Sequence, residues 1–169
     1  MTSSSFASPN NLLGAYSNGG SSSIVSLNIS YQAERYRVNT AAASIQFHWS
    51  ADGSSWTAVT AGDVPAASFP TGASAYSFAP MNTIPISGVV INSLAIPPGA
   101  PFYLRWAINT TGSSSQGIGI DDVSVTAAFA PGGVAGFTSP STSQTEGGTA
   151  TIGVRMLAAP SSTVVVSVS

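Results

Sequence analysis

The chain has 169 residues, enough for one large β-sandwich or for one sandwich plus part of a second. Only 6% of them are charged, against roughly a quarter in an ordinary soluble domain. There is no lysine, and four arginines face six acids. With Arg35 and Arg37 as the sole close cationic pair, this balance excludes a phosphate-neutralising nucleic-acid surface and an electrostatically held membrane partner.

The hydrophobic share of 43% sets the chain apart from disordered sequences and allows a buried core. Its surface must then consist of Ser, Thr, Asn, Gly and Ala, a composition weakly protected against self-association. Such a surface fits a cell-surface, sheath or fibre-like exterior, or a soluble domain that is merely rich in Ser and Thr. No apolar run approaches the roughly 20 residues of a spanning helix. Cysteine is absent, which removes thiol catalysis and thiolate metal sites and is neutral on export. Met1 leads into Thr2-Ser3-Ser4-Ser5 rather than a basic and then apolar leader. An exported chain is therefore expected to be a processed piece or to leave by another route.

In chain order, the first clear element starts at Val25. Val25, Leu27, Ile29, Tyr31 and Ala33 share one face, with Ser26, Asn28, Ser30, Gln32 and Glu34 on the other. Ile45, Phe47 and Trp49 form the next inward row, with Gln46, His48 and Ser50 outward. Asp52-Gly53 then predicts a type I′ turn into a returning strand over 56–59. Residues 60–87 read as irregular, because Pro65, Pro70, Pro80 and Pro85 break any long ladder.

Strand character returns at 89–96 and stops at Pro97-Pro98-Gly99. Phe102, Leu104, Trp106 and Ile108 make a further inward row, opposite Tyr103, Arg105, Ala107 and Asn109. In 117–129 the apolar phase flips from Ile118 and Ile120 to Val123, Val125 and Phe129, which predicts a β-bulge at Asp121-Asp122. Pro131-Gly132-Gly133 marks a linker, placed at 131–135, after a sandwich over 1–130. Ala150, Ile152, Val154 and Met156, then Val164, Val166 and Val168, predict two or three strands with open edges over 136–169. The expected class is all-β: an antiparallel sandwich followed by a short β segment.

Four stretches, SLNISYQAERYR (26–37), IQFHWSADGSSWTAV (45–59), INSLAIPPGAPFYLRW (91–106) and GIGIDDVSV (117–125), carry a resemblance. Over about 27–126 the chain resembles bacterial secreted sandwich modules found beside lamin-tail and extracellular nuclease domains. That resemblance implies a jelly-roll-like accessory module on a large surface protein. Relatives of that kind usually have further strands upstream of Leu13-Gly14, so both ends of this chain are expected to cut through larger modules. The tail, with Ser143, Glu146-Gly147-Gly148 and Thr149 to Ile152, resembles the first strands of a Calx-beta domain. The later strands that hold calcium ligands in that family are missing, so no calcium site is carried over from it.

Several residues are candidates for chemistry. Asp121 and Asp122 offer carboxylates to calcium, or else accept backbone N–H bonds and pair with Arg35, Arg37 or Arg105. Glu34 with Asp121 or Asp122 is the one pair of acids to weigh for glycoside hydrolysis, against a structural pairing of Glu34 with an arginine. His48 is the sole histidine, reads as outward, and no serine sits in a Gly-x-Ser-x-Gly elbow. Residues 50–56 resemble an Asp-box, the short hairpin motif of sialidase-type propellers. The glycine is one place early and there is one copy, so a plain hairpin is the preferred reading.

Trp49 and Trp106 have core phase. Trp56, Tyr36, Tyr76 and Tyr103 are the exposed aromatic residues, with Trp56 and Tyr103 chosen as the sugar-stacking pair, against ordinary rim packing. Asn28-Ile29-Ser30 and Asn109-Thr110-Thr111 fit the N-glycosylation pattern that chance also produces in such a composition. The expectation for function is a non-catalytic extracellular structural or adhesive module that self-associates or packs against neighbouring domains, with strand donation building a fibre. A carbohydrate-binding accessory module is the alternative.

Overall fold

Sequence alternation becomes antiparallel sheet throughout. The computed structural model describes residues 9–110, 114–130, 135–137 and 154–156. In chain order the strands are β1 (Asn10–Ser17), β2 (Ile24–Val38), β3 (Ala43–Ser50), β4 (Thr57–Ala58), β5 (Ala75–Tyr76), β6 (Asn82–Ile91), β7 (Pro101–Thr110), β8 (Gly117–Phe129), β9 (Ala135–Phe137) and β10 (Val154–Met156). The helical elements among the described residues are two 3-10 turns, Thr60–Gly62 and Ala66–Ser68.

One sheet has the order β1-β7-β3-β4, and the other has β5-β2-β6 with β8 also paired to β2. Gly117 lies against Arg37 while Gln32 donates to Asp122, so β8 runs antiparallel to β2. The chain divides into two compact units, Met1–Ala128 and Phe129–Ser169. Within the second, β9 pairs β10 antiparallel, Val154 opposite Phe137 and Met156 opposite Ala135. The Calx-beta-like core at Ser143, Glu146-Gly147-Gly148 and Thr149–Ile152 lies outside the described residues, as do Pro131-Gly132-Gly133 and Val164, Val166 and Val168.

The inward rows of both sheets meet in one core, giving a sandwich-like arrangement. Leu27, Ile29, Tyr31 and Ala33 from β2 face Ile45 and Phe47 from β3 and Phe102, Leu104, Trp106 and Ile108 from β7. At its centre Tyr31, Phe47 and Trp106 pack ring to ring, with centroids 5.4 to 5.9 Å apart. Each of these large apolar groups contributes on the order of 2–3 kcal/mol by leaving water. The Tyr31 hydroxyl is satisfied by the Gly62 carbonyl. The segment after β4, expected to be irregular, helps close the core: Val64 exchanges two 2.9 Å bonds with Ile45, and Val64 and Phe69 are buried.

The structure corrects four local expectations. β1 is a full strand, paired residue for residue with β7 from Asn10–Ile108 to Ser17–Pro101. β6 starts at Asn82 and takes in Pro85, whose missing N–H is harmless because β6 is an edge. Its irregularity lies elsewhere: Ser87 and Gly88, the latter at φ 69°, both face Ser30, as in a glycine bulge. Residues 92–96 make one isolated bridge, Ile24–Ile96, in place of a strand. Ser50 and Glu34, read as outward positions, are buried, as is Arg35.

The expected phase flip in β8 is present at Val125, while Val123 and Phe129, expected on the same inward row, are exposed. Ile118 and Ile120 pack on the core before Asp121-Asp122, and Val125 and Ala127 after it. Asp122 itself sits at φ 50°, the left-handed conformation that a bulge uses.

Candidate functional site

Two clusters of polar and aromatic side chains lie on the outer faces, one on each sheet. The first is built on β3 and β7, where the register sets Ser50 opposite Tyr103 and His48 opposite Arg105. The β3–β4 connection is not the two-residue type I′ turn expected at Asp52-Gly53. It is a six-residue loop, 51–56, folded around the Asp52 carboxylate. Asp52 accepts the amides of Ser54 and Ser55 at 2.7 Å each and the Ser50 hydroxyl at 2.9 Å. Ser50 Oγ in turn accepts the Gly53 amide at 2.9 Å. The amides of Ser55 and Ser54, then the hydroxyl of Ser50, hold the Asp52 carboxyl far below the usual carboxylate range.

That loop sets Gly53, at φ 76°, against the Tyr103 ring; a Cβ there would lie 3.3 Å from Tyr103 Cε2. It also delivers Trp56 to Arg105, whose guanidinium carbon stands 4.4 Å from the indole centroid. The two residues expected to stack sugars are thus brought to one face, Trp56 against Arg105 and Tyr103 two residues from it along β7. Both are half-buried, and one face of the Trp56 indole is covered by the guanidinium. His48, expected to be exposed, is half-buried, and its Nδ1 has no hydrogen-bond partner.

The second cluster lies on the outer face of β2 and β8. The Tyr36 hydroxyl donates to Glu34 Oε2. Gln32 Nε2 donates to Asp122 Oδ2 at 2.6 Å, and the Asp122 amide is bonded to Asp121 Oδ1 at 2.8 Å. Glu34 therefore pairs with a phenol, not with an arginine. Arg35 instead donates to the Pro70 carbonyl at 2.7 Å and to Gln116 Oε1 at 3.3 Å. Asp121 and Asp122, the candidate calcium ligands, are exposed on β8, where Asp121 accepts a backbone amide and Asp122 accepts from Gln32. Among the described residues no three His, Cys, Asp or Glu side chains converge as a metal site would need.

The hydrogen bond to Glu34, with desolvation and the Glu34 and Asp121 charges adding to it, pushes Tyr36 up to about 12 from 10.0. The raised value means that the folded state prefers the protonated phenol. The contribution is fully present below pH 10 and is lost as pH rises through about 12. A UV or NMR titration should therefore find one tyrosine near 12 that returns toward 10 in Glu34→Gln. An unchanged titration in that variant would remove Glu34 as the cause.

Comparison with protein-family models, with curated proteins and with solved structures finds no match to this chain. What sequence reading missed is the organising role of Asp52 and the partnership of Arg105 with Trp56. The Ser50-x-Asp52-Gly53 spacing carries a signal for the first. The second depends on strands 49 residues apart meeting in register.

Proposed function

We propose that the chain is a non-catalytic extracellular structural or adhesive module that self-associates by strand addition at β1. The observation that carries this reading is the state of the sheet edges. β6 is guarded by Pro85 and the Gly88 bulge, and β8 by the irregularity at two carboxylates. β4 has two residues. β1 has none of these guards: it runs eight residues in unbroken register without charge or proline. Leu12 and Leu13 on it are 44% and 65% exposed.

An added strand would complete the ladder of backbone bonds along that edge. The donor is segment 136–169 of a second copy, which carries the β-branched run Thr163-Val164-Val165-Val166. A head-to-tail contact of this kind does not close, so it builds a filament. A surface with so little charge offers little repulsion between copies. This reading agrees with the resemblance to secreted sandwich modules and places the chain at a cell surface, bound to itself or to neighbouring domains of a larger protein. Negative-stain electron microscopy and size exclusion at several concentrations test it: filaments that lengthen with concentration are expected, and a monomer at every concentration would refute it.

A second reading, a carbohydrate-binding accessory module, is favoured by Trp56 and Tyr103 lying on one outer face beside Arg105. It predicts that Trp56→Ala or Tyr103→Ala weakens binding to a polysaccharide about tenfold or more without lowering the melting temperature greatly. A glycan panel with no binding to the unaltered chain would dispose of it.

A further inference from the structure

The inward row of β2 does not stay apolar to its end. Leu27, Ile29, Tyr31 and Ala33 are followed at the same alternation by Arg35 and Arg37. Arg35 is buried, tied to Pro70 and Gln116. Arg105 is stacked on Trp56. Arg37 is different: among the described residues its guanidinium has no hydrogen bond or ion pair. It lines a cavity of about 500 Å³ with Ser74, Ala75 and Tyr76, within the usual size range of small-ligand sites.

Register explains the grouping. Arg37 stands directly opposite Tyr76, and Val38 opposite Ala75, so Ser74 is the diagonal neighbour of Arg37 on the same face. Gly117 backs the site from the other side; a Cβ there would meet Arg37 Cβ at 3.1 Å. At the rim, Tyr76 is more than half exposed and Phe78 is 91% exposed, packed edge-on with centroids 5.3 Å apart. Two exposed rings beside an unpaired guanidinium form a costly surface for a domain that is otherwise sparing with charge.

We propose that this cavity binds a carboxylated saccharide, a uronate residue of an acidic polysaccharide. The guanidinium fork takes the carboxylate through paired charge-assisted hydrogen bonds. The Tyr76 ring, with Phe78 behind it, offers a flat apolar face to the sugar C–H groups, and Ser74 supplies a hydroxyl for a ring oxygen or hydroxyl. The site is separate from the β1 edge and from the Trp56–Tyr103 face, and needs neither of the readings above.

Calorimetric titration of the full chain with a hexagalacturonate, and with its methyl ester as the same skeleton without charge, tests the assignment. The acid should bind at least about tenfold more tightly than the ester, with affinity falling as salt rises. Arg37→Gln should remove that preference while leaving ester binding in place, and Tyr76→Ala should weaken both ligands. Val90→Ala, at an exposed position of β6, should change neither. Equal affinity for acid and ester, or no binding of the acid at about 1 mM, would overturn the proposal in the unaltered protein. A normal acid preference in folded Arg37→Gln would overturn the role of Arg37.

Discussion

Replacing Leu13 by lysine should abolish polymers while leaving the fold in place. Leu13 lies on the outer edge strand β1, 65% exposed, and contributes little to the core. A lysine there gives β1 the charge that edge strands elsewhere use to refuse a further strand. In the proposed assembly every copy both accepts and donates, so a blocked acceptor edge should shift the population from filaments to monomers, read by size exclusion and negative stain. The unfolding free energy should change by no more than a surface substitution causes, about 0.5 kcal/mol. Deleting residues 136–169 should have the same effect by removing the donor. Polymers that survive the deletion would eliminate strand donation, and polymers that survive Leu13→Lys would eliminate β1 as the acceptor.

The second large effect concerns the aromatic centre. Phe47→Ala removes a fully buried ring that touches both Tyr31 and Trp106. The lost transfer energy and the cavity together should cost about 3–5 kcal/mol, with a fall in melting temperature on the order of 10 °C. Gly62 is the complementary probe. A Cβ on it would lie 2.5 Å from Phe47 Cδ1, so Gly62→Ala overpacks the same contact, at about 1–3 kcal/mol. In the double variant the added methyl group enters the space vacated by the ring. The combined loss should therefore be smaller than the two single losses added together. Strict additivity in chemical denaturation would show that the two positions do not share this contact.

The strands that were clearest in the sequence, β2 and β7, are those in which one face is wholly buried. In β2 and β7 the period of two is uninterrupted over Leu27 to Ala33 and over Phe102 to Ile108, because the opposing sheet covers each alternate residue. β1 escaped notice because Leu12 and Leu13 are adjacent, between asparagines and Gly14, and an edge strand buries too little to impose alternation. Pro85 read as a breaker because sequence does not say which side of a strand faces empty space.

The buried polar residues have the same kind of explanation. Ser50 and Glu34 lie at positions of outward phase, yet local partners, the Asp52 loop and the Tyr36 hydroxyl, allow them to leave water. In the candidate sites the single residues were legible and their partners were not. Trp56, Tyr103 and Tyr76 stand out by type and phase. That Arg105 lies over one ring and Arg37 opposite another is a matter of register between distant strands, which no local pattern encodes.

The direction in which the chain crosses its first unit has a mechanical consequence. β1 begins beside Ile108, near the end where Ala43 pairs with Thr110, and finishes beside Pro101, where Asn18 is bonded to Ala100. β8 starts against Arg37 and runs back along β2 toward the Ile24 end. The backbone thus enters at one pole and leaves at the other. Tension applied between Asn10 and Ala128 would pull β1 lengthwise along β7. All eight paired positions would then share the load in shear, instead of opening one after another as in a peeled hairpin.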